Sequence, residues 1–235
     1  MIPHGVDPQL FHPPSPADRS DARAALGLAD DEFVFLFSGA MTGNKRIDLL
    51  LQAFAQILRK HRRARLLLKG LDSLYASQQY LDADLANLSA ADAQLVRSRL
   101  NYNGDSLTFA ILPRLYYLAD CYVTPYSGEG FNLPALEAAA CGTSVICTAG
   151  GATDDFVTDD FARRIDSQIV DARDPQAPEA RVLQPSLESL VEQMLTVIED
   201  AEFRRRAAVA GPAHVAANFT WAKVVDRLLS VLLPS

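Results

Sequence analysis

The alternation of apolar strand segments with amphipathic helix segments is the feature that most limits how this chain can fold. The segment Phe33–Ser38 is apolar up to its last residue, which is typical of a strand buried on both faces of a parallel sheet. Between Ile47 and Leu58, apolar residues recur at helical spacing. A second strand, residues 65–69 with an apolar centre, is predicted after that helix. This order predicts an α/β fold, a Rossmann-like parallel sheet flanked by helices.

The same alternation continues to the end of the chain. Further strands are predicted at 100–103, 121–124, 144–148 and, as a short sixth one, near 164–170. Helices are predicted at about 73–97 with a break at 87–89, and at 109–118, 134–140, 186–199, 201–218 and 221–232. The first 31 residues are punctuated by prolines and predict only a short helix at about 20–26, and the Pro- and Asp-rich residues 171–185 predict a loop.

The charge balance excludes one class of partner. The chain has 29 acidic and 22 basic residues, a formal net charge of −7, whereas nucleic-acid binders depend on Lys and Arg for their affinity. No nucleic-acid partner is therefore expected. No apolar run approaches the roughly 18 residues of a membrane span, and residues 1–7 lack the basic and apolar regions of a secretion signal. Cys121, Cys141 and Cys147 are odd in number and form no CxxC pair, which favours reduced, packed thiols in a cytoplasmic protein.

The segment 126–143, Tyr-Ser-Gly-Glu-Gly-Phe-Asn-Leu-Pro-Ala-Leu-Glu-Ala-Ala-Ala-Cys-Gly-Thr, is the most informative part of the sequence. It follows a predicted strand and opens a predicted helix, with Pro134 at the first helical position. The N–H groups of Phe131, Asn132 and Leu133 then have no helical partners and point into the loop. Such a row of donors at a helix start predicts an anion-binding site.

Two glutamates belong to the same segment. Glu129 lies in the loop and Glu137 lies one turn into the helix, and ionised carboxylates are strong acceptors for sugar hydroxyls. Together with the N–H donors they suit a polyhydroxylated ligand that carries phosphate. The structural alternative is that Glu137 is a first-turn acid favoured by the helix dipole and that Glu129 is a solvated loop residue.

The pattern Glu-Gly-Phe-x-Leu-Pro-x-Leu-Glu-Ala-x-Ala-x-Gly, with Glu137 eight positions after Glu129, resembles the Glu-x7-Glu motif of the retaining group 1 (family 4) glycosyltransferases of the GT-B fold. Other segments resemble that family in turn. Residues 2–11 are similar to its linker into the second domain, 37–54 to its strand, phosphate loop and helix, 117–125 to the strand before the glutamate loop, and 218–221 to the start of its closing helix.

This resemblance implies the C-terminal, nucleotide-sugar-binding domain of a GT-B pair. Residues 1–31 would be an interdomain linker, 32–218 the Rossmann-like domain, and 219–235 a helix that packs toward an acceptor-binding N-terminal domain absent from this chain. The implied activity is hexosyl transfer from a nucleotide-diphosphate sugar with retention of configuration, without metal or cofactor, and without activity in the isolated domain. The alternative is a catalytically silent nucleotide-binding or interaction domain, which donor hydrolysis by the full-length protein would distinguish. The Glu-x7-Glu motif argues against a sugar-nucleotide epimerase of the same fold. A phosphorylase-like enzyme is not supported, because the sequence contains no cofactor lysine motif.

Roles follow from the resemblance for individual residues. Glu137 would accept hydrogen bonds from the ribose hydroxyls, and Glu129 would contact the donor sugar near its reacting carbon. Lys45 would pair with the diphosphate and stabilise charge on the leaving group. The remaining donor-binding candidates are Gly39, Arg46, Lys69 and the backbone of Gly130, Phe131, Asn132 and Leu133.

One departure from the family pattern concerns the diphosphate. The family commonly carries an Arg directly after the strand's glycine, where this chain has Ala40, and a single Lys does not replace a bidentate guanidinium. Arg46, where the family usually has Gly, could compensate, as could Lys69 at a strand end. The alternative for both is an exposed basic residue.

The remaining polar residues predict no further site. The four histidines have no ligand spacing, and the acidic pairs at 154–155 and 159–160 are typical of turns and helix starts, so no metal is expected. The basic run at 59–65 is typical of a solvated helix end, with contact to an acidic partner domain or an anionic membrane surface as the alternative.

Overall fold

The computed structural model describes residues 2–172 and 179–233, which form a six-stranded parallel sheet, helices on both of its faces and a two-stranded hairpin. The strands are β1 (Phe33–Ser38), β2 (Ala64–Lys69), β3 (Leu100–Asn103), β4 (Cys121–Thr124), β5 (Ser144–Thr148), β6 (Ala162–Ile165), β7 (Ser167–Asp171) and β8 (Arg181–Pro185). The helices are α1 (Pro16–Ala24), α2 (Ile47–Lys60), α3 (Asp72–Tyr75), α4 (Ser77–Ala86), α5 (Ala90–Arg97), α6 (Pro113–Leu118), α7 (Leu133–Ala140), α8 (Leu187–Glu199), α9 (Ala201–Asn218) and α10 (Trp221–Leu232).

The large sheet has the strand order β3-β2-β1-β4-β5-β6, and all its pairs are parallel. The chain runs outward from β1 to β3 and then returns to the other side of β1 with β4. The strand order therefore reverses between β1 and β4, which is where ligands bind in sheets of this kind. The prediction of a Rossmann-like α/β fold is confirmed.

Both faces of the sheet are covered by helices, as its apolar strands require. Successive side chains of a strand point to opposite faces. Accordingly, Phe35 and Phe37 pack in a core cluster with residues of α2 and α8, whereas Val34 and Leu36 pack in a second cluster with residues of α6, α7 and α9. The three cysteines are buried and free, as predicted.

Helix α7 is pressed closely against α9. A Cβ built on Gly211 would lie 2.6 Å from the main-chain oxygen of Ala139, so only glycine fits at this contact. The small residues of α7 make this approach available, and Ala135, Ala138 and Ala139 are completely buried. As a result, the helix that carries the second glutamate is enclosed in the core.

Helix α1 begins at Pro16 rather than near residue 20, because Ser15 and Asp18 form a capping box. The side chain of Ser15 accepts a hydrogen bond from the Asp18 N–H, and the Asp18 carboxylate accepts one from the Ser15 N–H, each at 3.1 Å. Arg23 then ties α1 to the sheet. Its guanidinium donates to the main-chain oxygens of Leu118 at 2.9 Å and Glu32 at 2.6 Å.

Two other elements differ from the sequence-based expectation. Helix α6 begins at Pro113 instead of at 109. The predicted sixth strand is divided into β6 in the large sheet and β7, which pairs antiparallel with β8 inside the predicted loop 171–185. No residue of β7 is buried, so β7 lacks the buried alternation by which a strand is recognised. In β8 only Leu183 and Pro185 are buried, which is too short a pattern to distinguish a strand from a loop. Residues 173–178 of that predicted loop lie outside the described residues.

The leading segment lies against the start of α10. Val6 forms a parallel bridge with Thr220, and its N–H donates to the Phe219 oxygen at 2.8 Å. A Cβ on Gly5 would lie 2.8 Å from Trp221, so a side chain at this position would separate the two segments. None of the helices in the described ranges combines the length and apolar character of a membrane span.

Candidate functional site

Two loops meet at the carboxyl ends of β1 and β4, where the strand order reverses. One follows β1 and ends at Arg46, and the other follows β4 and ends at Asn132. Asn44 joins them: its main-chain oxygen accepts from the Ser127 N–H at 2.7 Å, and its Nδ2 donates to the Gly128 oxygen at 2.8 Å. The two loops therefore form a single polar edge rather than two independent segments.

Lys45 and Glu129 lie opposite each other across this edge. The Lys45 ammonium forms an ion pair with Oε2 of Glu129, and their side chains are 17% and 16% exposed. The candidate catalytic residues predicted from the sequence are thus brought together. Glu129 is not a freely solvated loop residue, because its carboxylate has a fixed cationic partner.

The start of α7 supplies backbone donors beside this pair. Asn132 adopts the left-handed conformation, φ 71° and ψ 59°, and its Nδ2 donates to Oγ1 of Thr124 at 2.9 Å. Among the hydrogen bonds of the described residues, none uses the N–H of Phe131, Asn132 or Leu133. The predicted row of donors is present. Helix α7 begins at Leu133, so Pro134 takes the second helical position rather than the first.

The ring of Phe131 anchors this loop from the other side. It stacks on Phe156 at 5.0 Å between centroids and meets the His4 ring edge-on at 5.1 Å. Next to it, Gly130 has open space where a Cβ would be. The backbone of the loop is therefore held in place by an aromatic contact while its glycine side stays open.

Glu137 is a buried carboxyl group. It is the fifth residue of α7, one turn into the helix as predicted, and the first turn holds no acidic residue. Only 7% of the residue is exposed, and the Tyr116 hydroxyl donates to its Oε2 at 2.6 Å. Burial raises the pKa of Glu137 to about 7, although the Tyr116 hydrogen bond opposes the shift. The alternative of a first-turn acid favoured by the helix dipole is therefore wrong.

Arg46 occupies the left-handed region at φ 53° between the loop and α2. Glycine adopts this conformation without strain, which explains the glycine usual at this position in the resembled family. The guanidinium is held by the Asp48 carboxylate through Nε at 2.9 Å and Nη2 at 3.0 Å. In this arrangement Arg46 is committed to its own helix and is not directed at the Lys45–Glu129 pair.

Lys69 is buried at the end of β2, so the expectation of an exposed basic residue is wrong for it. It is 7% exposed, and its ammonium donates to the Gly70 oxygen. Burial lowers the pKa of Lys69 below its usual value, while Asp105 and Asp72 act in the opposite direction. With Gly39, Ala40 and Gly70 it lines a cavity of about 310 Å³ at the same edge of the sheet. Lys69 thus lies beside the position from which the arginine is missing.

One member of each acidic pair singled out in the sequence is engaged by the same arginine. Arg164 forms ion pairs with Asp154, at 3.3 Å, and with Asp159. Asp154 also accepts from the Gly150 N–H at 2.7 Å. Within residues 2–172 and 179–233, no three His, Cys, Asp or Glu side chains are grouped so that they could hold a metal ion.

The profile of the family described as "Glycosyl transferases group 1" matches residues 18–214. The chain belongs to this family. It is 31% identical to a D-inositol 3-phosphate glycosyltransferase of Segniliparus rotundus over 236 residues, which is 98% of this chain and 45% of the relative. The group 1 glycosyltransferase chain thus spans about half the length of that relative.

Solved structures agree with this membership at the level of the fold. The sucrose-phosphate synthase of Thermosynechococcus elongatus superposes with a TM-score of 0.77 at 24% identity, over 98% of this chain and 51% of that one. Anabaena Alr3699/HepE in complex with UDP and glucose gives 0.74 at 20% identity, over 98% and 55%. The sheet and its flanking helices are those of the C-terminal domain of a GT-B glycosyltransferase.

Two residues of this site were missed by sequence reasoning. Asn44 was included only in the segment 37–54, and Tyr116 only in the predicted helix 109–118. A buried phenol nearly always finds a hydrogen-bond partner, so an apolar helix with a tyrosine on its inner face was the available signal for Tyr116. The position of Asn44 carried no such signal, because its partners lie 84 positions away.

Proposed function

We propose that this glycosyltransferase domain binds a nucleotide-diphosphate sugar at the edge formed by the loops after β1 and β4. The observation that carries the proposal is that Lys45, Glu129 and the free N–H groups at the start of α7 meet at the sheet edge where the strand order reverses, with Glu137 one turn further along α7. A cation and backbone donors suit the diphosphate, and carboxylates suit the hydroxyls on either side of it.

The ion pair indicates how the ligand would enter. Lys45 is neutralised by Glu129. A diphosphate that approaches the N–H groups of residues 131–133 would offer Lys45 a second, doubly charged partner, and Glu129 would remain as an acceptor for hydroxyl groups of the sugar. Lys45 would then stabilise the charge that develops on the leaving diphosphate.

The proposed reaction is transfer of the sugar to an acceptor with retention of configuration, without a metal ion and in the cytoplasm. Catalysis would rest on positioning and on electrostatic stabilisation of the leaving group. The chain covers 45% of the length of the D-inositol 3-phosphate glycosyltransferase to which it is similar. We therefore propose that the acceptor binds to a further, N-terminal domain and that the isolated chain transfers no sugar.

A catalytically silent binding domain is the second candidate, and one observation favours it. Ala40 supplies no cation, and the guanidinium of Arg46 is already bound to Asp48. The positive charge available to a diphosphate at this edge of the sheet thus depends on Lys45 and on the buried Lys69. Hydrolysis of a nucleotide sugar by the full-length protein would favour the enzyme, and binding without turnover would favour the silent domain.

The binding step can be tested on the 235-residue chain by calorimetry with UDP, GDP and the matching nucleosides, in the presence of EDTA. We expect at least one diphosphate to bind, and to bind more tightly than its nucleoside. Failure of both diphosphates, or binding that requires a divalent metal, would contradict the proposal.

A further inference from the structure

The hydroxyl of Tyr116 and the carboxylate of Glu137 form a buried pair between α6 and α7. The separation of the Tyr116 oxygen and Oε2 is 2.6 Å, which is short for a hydrogen bond between oxygens and typical of an ionised acceptor. Tyr116 is 1% exposed and Glu137 is 7% exposed. Water can therefore do little to solvate this carboxylate, and the phenol is its fixed partner.

Tyr116 is itself held rigidly. Its ring packs against Phe11 at 6.0 Å and against Tyr122 at 6.3 Å between centroids. Its main-chain oxygen accepts a hydrogen bond from Oγ1 of Thr143 at 2.9 Å. The direction in which the hydroxyl donates is thus determined by packing on three sides.

The second carboxylate oxygen is treated differently. Oε1 of Glu137 accepts no hydrogen bond from the described residues. Among these residues, the polar side-chain atoms that are fully buried without a partner do not include Oε1. It therefore keeps contact with solvent. One oxygen is fixed inside the protein by the phenol, and the other has no hydrogen-bond donor among the described residues.

We propose that Tyr116 is a positioning residue that holds Oε2 of Glu137 so that Oε1 faces the hydroxyl groups of the donor's ribose. This inference rests on the proposed function, in which Glu137 contacts the ribose. It assigns to the nucleotide site a residue that makes no contact with the ligand. The hydroxyl acts by fixing the rotamer of Glu137 and by favouring its ionised form.

The surroundings of Glu137 leave it as the group that titrates near neutrality in this cluster. Tyr116 on α6, Tyr122 on β4 and Cys141 on α7 all have pKa values raised above their ordinary ones, each chiefly by burial. They stay protonated between pH 5 and 8. His12, in the leading segment, faces the hydroxyl of Tyr117 at 3.4 Å rather than the carboxylate.

The test measures affinity for a ribonucleoside diphosphate and for its 2′,3′-dideoxy form, with UDP or GDP as the parent, whichever binds more tightly. Tyr116→Phe is compared with Tyr117→Phe, which removes a hydroxyl from the neighbouring position of the same helix. We expect Tyr116→Phe to weaken the ribonucleotide by about tenfold and to leave the dideoxy form within about twofold. Tyr117→Phe should change neither ligand.

Two further readouts separate positioning from a structural effect. In a Glu137→Gln background, Tyr116→Phe should have little additional effect on the ribonucleotide, since the residue on which it acts is gone. The pH midpoint of the ribonucleotide-to-dideoxy affinity ratio should rise in Tyr116→Phe, because the lost hydrogen bond favoured the ionised carboxylate. The phosphates titrate alike in the two ligands, so the ratio isolates Glu137.

Each failure has its own meaning. The role of Tyr116 would be overturned, and the proposed function left intact, by any of three results. These are equal losses for both ligands, additivity with Glu137→Gln, and the same result for Tyr117→Phe. A Glu137→Gln protein that still prefers the ribonucleotide as the wild type does would overturn the ribose contact of the proposed function. If Tyr116→Phe does not fold, 3-fluorotyrosine at position 116 keeps the hydroxyl and strengthens its donation. It should lower the same pH midpoint, and an unchanged midpoint would count against the inference.

Discussion

Lys45 and Glu129 are 84 positions apart in the chain and form one ion pair across the edge of the sheet. Each side chain satisfies the charge of the other. The same pair makes the roles of the two residues experimentally separable, because a diphosphate competes for Lys45 whereas a sugar hydroxyl competes for Glu129.

Lys45→Ala should weaken a nucleoside diphosphate by about 1.5–3 kcal/mol, the range for hydrogen bonds to charged groups, and should leave the nucleoside unchanged. Calorimetry on both ligands measures the difference. Lys60→Ala, at the exposed end of α2, is the matched control and should change neither affinity. Equal losses for the two ligands in Lys45→Ala would move the assignment to Lys69 or Arg46.

Glu129→Gln and Glu137→Gln should affect different ligands. Glu137→Gln is expected to weaken the bare nucleoside diphosphate, because the ribose loses a charged acceptor. Glu129→Gln should weaken only the intact nucleotide sugar, and it should leave the bare diphosphate unchanged or tighter, since Lys45 loses its competitor. A structure with bound nucleotide sugar in which Glu137 lies away from the ribose would refute the first assignment.

Glu137→Gln should also stabilise the ligand-free protein at neutral and higher pH. The pKa of this carboxyl rises from 4.5 to about 7 on folding, so its contribution is fully present below pH 4.5 and is lost as pH rises through 7. At about 1.4 kcal/mol per pKa unit, the full loss is roughly 3 kcal/mol. Denaturant unfolding at pH 5 and pH 8 should show a gain for the variant that grows with pH. Glu192→Gln, an exposed carboxyl on α8, should show no such trend.

Asn44→Ala should loosen the two loops from each other without disturbing the sheet. It removes the 2.8 Å hydrogen bond to the Gly128 oxygen, a change of about 1 kcal/mol in the free energy of unfolding. We expect a larger proportional loss in affinity for the diphosphate, because Lys45 and Glu129 would be less well aligned. Thr42→Val removes only the hydroxyl that donates to Asn44 Oδ1 at 2.6 Å, and it should have the smaller effect on binding.

The isolated 235-residue chain should bind donor and transfer no sugar. A radiolabelled nucleotide sugar with a panel of polyol and lipid acceptors would measure transfer directly, and a full-length relative, of which this chain covers 45%, would be the positive control. Appreciable transfer by the chain alone would show that the acceptor site lies within it.

The burial of each strand and helix decides how well it could be predicted from the sequence. The sheet was predicted correctly because β1, β2, β4 and β5 are almost entirely buried and have apolar centres. The hairpin strand Arg181–Pro185 was missed because only Leu183 and Pro185 of its five residues are buried, so the pattern that the core imposes on it is too short to recognise. Short-range rules also misplaced the start of α1, where the capping box at Ser15 was overlooked.

The site was predicted in part for a related reason. The spacing of Glu129 and Glu137 is local, and it identified the loop and the helix correctly. The burial of Glu137 depends on α7 packing against α9 through Gly211 and Ala139, and this contact joins residues far apart in sequence. The same holds for Tyr116 and for the Asn44 contacts, whose partners are known only once the strands are in order.

The bridge between Val6 and Thr220 bears on how the molecule assembles and opens. It links residues separated by almost the whole chain, and such a contact cannot form until the intervening sheet exists. The leading segment and α10 are therefore expected to dock last, and their amides to exchange with solvent before those of the sheet. His4 of this segment touches Phe131. Each transient release of the segment would therefore also free one side of the loop that follows β4, so that local unfolding of the leading segment and α10 would directly affect the site.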